Sequence, residues 1–199
     1  MLEVGTSSGG IAHYFSAHEQ LRCDVDAVDV YDNRPVSDSY RYHSGDSTQL
    51  PFADQSFDVV LSNHVIEHVS DEQAQHAYLA ELHRVLRLGG VGYLAVPNRW
   101  MLVDPRHKLA FLSWLRHAWR TSYLRVVHQG DIYDCEPSLL AQLERLPKGA
   151  GFKYRNPCVD ALRSTFEIER PQSTITNILR HVPDGVLISW HRIIPNLIY

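Results

Sequence analysis

Disulfides and structural zinc have little to work with in this sequence. Its 199 residues contain three cysteines, Cys23, Cys135 and Cys158, an odd and widely spaced set. No CxxC pair is present, so neither a disulfide framework nor a zinc knuckle is indicated, and a reducing compartment fits. No run reaches the roughly 18–20 apolar residues of a membrane span. The opening, Met1-Leu2-Glu3-Val4-Gly5, lacks the basic and apolar regions of a secretion signal, and a cytoplasmic location is expected. Positive charge is not in excess either. The formal net charge is -4, so any basic patch must be local. What is left is an ordinary globular composition, 44% hydrophobic and 21% charged, in a length that suits one domain with a real core.

The apolar pattern alternates strand and helix, which predicts an α/β fold with a mostly parallel sheet covered by helices on both faces. Strands are expected at Met1–Val4, Val25–Val30, Tyr40–His43, Phe57–Ser62 and Val91–Val96. A helix is expected over Ile11–Leu21, with Ile11, Tyr14, Phe15 and Leu21 facing the core. A second begins at Ser70, where Ser70 and Gln73 fit a capping box, and Gly89-Gly90 is expected to end it. Its apolar stripe is Tyr78, Leu82, Val85 and Leu86. The pattern changes at Asn98: residues 99–130 read as an aromatic and basic insertion. Ser138–Leu146 suggests another helix, and Phe152–Arg155 with Val186–Tyr199 a final antiparallel strand pair. The chain opens like the end of a buried strand, so an upstream segment is expected to be missing.

Three local features point to a nucleotide-like ligand. Glu3-Val4-Gly5-Thr6-Ser7-Ser8-Gly9-Gly10 is a glycine-rich turn between strand and helix, where a ligand can approach the backbone closely. Alone it reads equally well as a plain chain reversal. Glu3 adds a carboxylate that is costly to bury without a partner and could accept from an ammonium group. Asp29 follows about 20 residues after the turn, the spacing at which an acid can hold both ribose hydroxyls. Asp24, Asp26 and Asp32 lie close by, but Val28 and Val30 flank Asp29 in the strand pattern. Gly45-Asp46-Ser47 could meet an adenine amino group, and is also an ordinary turn sequence.

Taken together, LEVGTSSGG, VDAVDV, GDSTQLPFADQSFDVVLSNHVIEHV and LHRVLRLGGVGYLAVPN strongly resemble class I S-adenosyl-L-methionine (SAM)-dependent methyltransferases. The similarity is to the broad small-molecule group that includes the quinone-biosynthesis enzymes, in the family's order, over residues 1 to about 98. The resemblance implies a Rossmann-like fold, SAM as cofactor and a role for each matching residue. Glu3 would contact the methionine amino group, and Gly5, Ser7 and Gly9 would form the turn around the methionine portion. Asp29 would bind the ribose and Val30 pack on the adenine. Asp46 would meet the adenine N6 with Ser47 beside it, and Asn63 would lie near the sulfonium. Ser7 stands where the family usually has glycine, and a positive φ there would cost about 1 kcal/mol or more.

His64-Val65-Ile66-Glu67-His68 follows the fourth strand and is expected to face the active-site mouth. Three readings stand at this point. His64 or His68 is a general base; the i, i+3, i+4 spacing of His64, Glu67 and His68 presents metal ligands on one helical face, like the ExxEH site of some relatives; or the segment only caps and packs a short helical turn. In the insertion, Arg106, Lys108, Arg116, Arg120 and Arg125 join His107, His117 and His128, with no acid from Pro105 to Gly130. Leu112, Leu115 and Trp119 have helical spacing. This reads as a lid over a small-molecule, glycan or lipid-linked acceptor, as a peripheral membrane contact through residues 106–125, or as a cap helix with a solvated face. The resulting expectation is methyl transfer from SAM, at oxygen. The alternative is a catalytically silent methyltransferase fold that binds a partner. An NAD-dependent oxidoreductase is disfavoured because the full GxGxxG is absent, and nucleic acid is not an expected partner because the chain is acidic and lacks an NPPY-like motif.

Overall fold

The computed structural model describes every residue except 22, 36–38, 99–103, 105–107, 129–139, 191–195 and 199. The chain divides into two compact units, one of residues 1–96 and 141–154, the other of 97–140 and 155–199.

The first unit is built on a parallel sheet in the order β3-β2-β1-β4-β5. Its strands are β1 (Leu2–Val4), β2 (Asp26–Asp29), β3 (Arg41–Ser44), β4 (Phe57–Asn63) and β5 (Leu86–Pro97). The pairings among β1–β5 are parallel: Val4 lies beside Val28 on one side and Ser62 on the other, and Asn63 beside Ala95. A strand buried on both faces reads as continuously apolar, and β1 and most of β2 are buried accordingly. Chain order reverses direction across β1 and β4, and such a switch point opens a crevice at the carboxyl ends of the strands.

Helix α1 (Gly10–Ala17) is shorter than its pattern suggests. Ala12 reaches the core with Val25, Ala27 and Tyr40, and Phe15 packs against them, whereas Tyr14 and Leu21 are exposed. Helix α2 (Glu72–Val85) buries the whole expected stripe of Tyr78, Leu82 and Val85, followed by Leu86 in β5. Each such side chain contributes about 1.5–3 kcal/mol. Two boundaries need correction. Asp71, not Ser70, is the N-cap, its carboxylate accepting the Ala74 N–H at 2.8 Å. The helix also ends at Val85, and Gly89-Gly90 lies inside β5 instead of closing α2. There the register slips, since Phe57 pairs with Leu86 but Val59 with Val91. Gly90 sits so close to the Asp58 carbonyl that an added Cβ would lie 2.8 Å from it. The glycine pair thus serves an irregular strand edge.

The second unit contains α3 (His117–Val126), α5 (Cys158–Glu169), α6 (Thr174–His181), α7 (Asp184–Trp190) and the short strand β6 (Asn196–Ile198); α4 (Leu140–Gly149) belongs almost wholly to the first unit. Of the expected closing strand pair, the described residues form a strand only at Asn196–Ile198. Residues 152–155 are irregular, and most of 186–190 is helical. Within α7 the run Val186-Leu187-Ile188 buries only Leu187, so local alternation in the apolar run does not mark a strand there. The stripe expected from Leu112, Leu115 and Trp119 also fails: Leu112 lies in a 3-10 turn and is buried, while Trp119 is 64% exposed on α3. Leu124 and, unexpectedly, Arg120 are the fully buried α3 residues. Arg120 donates to the carbonyls of Ser113 and Leu115, satisfying the end of that turn. Pro105, Arg106 and His107 lie outside the described residues. Among the described residues no helix is long and apolar enough to cross a membrane.

Candidate functional site

The residues singled out from β1, β2, β3 and β4 all come to the carboxyl ends of neighbouring strands. Glu3 is buried in β1, and its Oε2 accepts the Thr6 hydroxyl at 2.8 Å and the Ala12 N–H at 2.9 Å. It therefore braces the glycine turn onto the start of α1. Burial raises its pKa; the bonds from Thr6 and Ala12 pull it back, and the nearby charge of Asp29 raises it further.

Asp29 ends β2. Its Oδ2 accepts the Ser7 N–H and its Oδ1 the Val30 N–H, both at 2.7 Å, so it ties the strand tip to the turn. The competing acids are engaged elsewhere. Asp24 and Asp26 pair with Arg41, Asp26 also with His43, and Asp32 with Arg34. Val30 lies beyond the tip and is 58% exposed. Asp46 closes a turn by accepting the Thr48 N–H at 2.8 Å and hydroxyl at 2.9 Å, bonds that lower its pKa. Ser47 sits half-buried in that turn.

The turn itself uses positive φ three times, at Gly5 (74°), Ser7 (50°) and Gly9 (76°). At Gly5 an added Cβ would meet Val65 at 2.3 Å, and at Gly9 the Tyr40 hydroxyl at 1.8 Å. Those two glycines are required by side chains that press on the backbone. Ser7 has no such excuse and carries the roughly 1–2 kcal/mol penalty of the left-handed region. Ser7→Gly is expected to raise stability by up to about 1 kcal/mol, the extra freedom of glycine in the unfolded chain offsetting the rest. Chemical denaturation checks this, and a clear loss of stability would mean that the serine side chain contributes a contact of its own.

Asn63 is the half-buried last residue of β4. His64 follows at φ 59°, its N–H bonded to the Ala95 carbonyl at 2.9 Å. Its Nδ1 lies 3.1 Å from Oε1 of Glu67, which is buried. The helical face expected for His64, Glu67 and His68 does not form. The 3-10 turn spans only Ile66–His68, His64 stands outside it in a left-handed conformation, and His68 is exposed. Among the described residues no three His, Cys, Asp or Glu side chains gather to hold a metal ion.

Four contributors escaped the sequence pattern. Thr6 and Val65 look like turn and spacer residues. Tyr40 looks like a strand end, yet its buried hydroxyl has no partner among the described residues and faces Gly9. Arg34 stacks over Tyr42, 4.2 Å from the ring centre. Only the Asp32-Asn33-Arg34 charge spacing could have hinted at it.

These features fit an adenosyl–amino-acid ligand. Two carboxylates brace the same turn, an orphaned phenol faces it, space is open beside Gly10, and an exposed apolar residue follows the β2 acid. A parallel sheet of this order with such a crevice defines the Rossmann-like class I methyltransferase architecture. Residues 2–94 match the family model for a methyltransferase domain. Over 101 residues it is 37% identical to a probable S-adenosylmethionine-dependent methyltransferase of Mycolicibacterium smegmatis, covering 50% of this chain and 38% of that one. The chain thus spans well under half the length of that relative. Among solved structures, a SAM-dependent methyltransferase of Thermotoga maritima, possibly a histamine N-methyltransferase, superposes with a TM-score of 0.53 at 21% identity. That match covers 78% of this chain and 64% of the other. Phosphoethanolamine N-methyltransferase 2 of Haemonchus contortus, solved with SAM, gives 0.53 at 20% identity over 100% of this chain and 46% of its own. Both likenesses concern the fold.

Proposed function

We propose that the protein moves a methyl group from SAM to a hydroxyl of a small-molecule, glycan or lipid-linked acceptor. The observation that carries this reading is the pair of carboxylates at the β1 and β2 ends, held beside a left-handed turn at the switch point of the sheet. SAM, when bound, supplies an activated methyl group on a good leaving group. The protein's task is then to hold and align the acceptor.

In this reading Asp29 holds the ribose hydroxyls with the lone pairs left over from Ser7 and Val30. Glu3 offers Oε1 to the methionine ammonium, while Oε2 keeps the turn in shape. Gly5, Ser7 and Gly9 bend the backbone around the methionine portion, Val30 covers the adenine, and Asp46 with Ser47 reads its amino edge. Asn63 lies by the sulfonium, and His64 takes the acceptor proton. His68, exposed and apart from Glu67, is a weaker candidate for the base than His64.

Asp29→Ala is expected to weaken SAM binding at least tenfold in calorimetry, about 1.4 kcal/mol. Unchanged affinity would remove the ribose assignment. A SAM-consumption screen over sugars, quinols and lipid-linked alcohols tests the reaction, and binding without turnover on any acceptor class would favour a silent binding protein.

A further inference from the structure

Glu67 projects from the 3-10 turn after β4, its side chain only 1% exposed. Oε1 faces Nδ1 of His64 at 3.1 Å, and Oε2 is buried without a hydrogen-bond partner among the described residues. An orphaned buried carboxylate oxygen is a liability to folding. Packing alone would be served better by an apolar residue.

His64, for its part, is held unusually firmly. Its backbone occupies the left-handed region and is pinned to β5 through Ala95. Backbone strain of this kind persists where the surroundings over-determine it, and it clusters at functional sites. The turn beneath it is fixed by the His68 N–H to the Val65 carbonyl at 2.9 Å and by the Gln75 amide to the Ile66 carbonyl at 3.3 Å. The His64 side chain is 33% exposed, and no described residue bonds its Nε2. A carboxylate can only accept, so the ring nitrogen facing Glu67 carries the proton. In the neutral ring the other nitrogen is then the unprotonated one.

We propose that Glu67 is the positioning residue of His64: it fixes the imidazole as the Nδ1–H tautomer and aims unprotonated Nε2 at the acceptor hydroxyl. This rests on the reading of His64 as the base. The acceptor oxygen forms its bond to the methyl carbon while Nε2 takes the hydroxyl proton. The carbon–sulfur bond breaks with its electron pair going to sulfur. His64 is left as an imidazolium whose Nδ1–H faces a buried negative charge, a pairing that stabilises it as it forms.

The test is long-range nitrogen–proton correlation of the His64 ring in labelled protein, assigned by comparison with His64→Asn. It needs neither SAM nor acceptor. The parent is expected to show a single Nδ1–H tautomer when the ring is neutral. In Glu67→Met, which keeps side-chain length, that preference should be lost, and the melting temperature should not fall, because the orphaned oxygen goes too. Glu67→Gln still offers an acceptor, so the tautomer should survive. Turnover on the acceptor found by the screen should nevertheless drop at least tenfold, with KM for SAM within about twofold. An Nε2–H tautomer in the parent overturns the proposal without any variant, and so does a tautomer unmoved in Glu67→Met. Full activity of a His64 variant would instead remove the base reading on which the pairing rests, so the two failures are told apart.

Discussion

Replacing His64 is expected to lower turnover at least a hundredfold and to leave SAM affinity within about twofold. A positioned base contributes about 10²–10⁴ in rate when the nucleophile is a hydroxyl. The contacts proposed for SAM come from other elements, Glu3 on β1, Asp29 on β2 and the loop at Asp46. The choice of variant matters. His64 sits at φ 59°, where alanine is strained by about 1 kcal/mol or more but asparagine is tolerated. His64→Asn therefore removes the base without disturbing the turn, and His64→Ala adds a modest loss of stability. Single-turnover rates with saturating SAM separate chemistry from binding. Parent-like rates in His64→Asn would exclude an essential base there, as would a tenfold loss of SAM affinity matching the loss of rate.

The doubly wound sheet was legible because short apolar runs alternate with unmistakable turn residues, and in β1 and most of β2 burial on both faces leaves no competing period. The α2 stripe was equally clear, since Tyr78, Leu82 and Val85 fit a helix and nothing else. Boundaries failed where tertiary contact overrode local signals. Gly89-Gly90 looks like a helix stop, yet β5 captures Leu86 onward because Phe57 and Val59 of β4 have ladder positions to fill. The candidate site was visible in its charged residues and hidden in its packing. Glu3 and Asp29 announce themselves by spacing, but the side chains that press on Gly5 and Gly9 come from distant Val65 and Tyr40, which no local pattern marks. The HVIEH segment shows the same limit. Helical spacing predicts a shared face, and a single left-handed residue at His64 breaks it, leaving Glu67 turned inward. The helices after residue 157 were missed for a simpler reason. Their exposed faces keep Ile168, Ile175, Ile178 and Ile188, so apolar residues mark no single stripe.

Tyr78→Ala should cost about 3–5 kcal/mol, a large share of the roughly 5–15 kcal/mol that holds a domain together. The ring is fully buried in the middle of α2, and its hydroxyl lies 2.6 Å from that of Ser62, also fully buried. Burial raises the Tyr78 pKa, the bond with Ser62 lowers it, and the neighbouring charge of Glu67 raises it further, so the phenol stays protonated across the accessible range. Truncation leaves a cavity and orphans Ser62 in one step. Tyr78→Phe keeps the ring and strands only the Ser62 hydroxyl, which should cost about 1–3 kcal/mol. Urea denaturation followed by far-ultraviolet circular dichroism measures both. Ser62 pairs with Val4 and Leu94 in the sheet, one residue before Asn63 and two before His64. The phenol thus fixes the strand end from which the proposed base projects. If Tyr78→Ala stays within about 1 kcal/mol of the parent, α2 does not anchor β4, and the rigidity claimed for His64 loses its foundation.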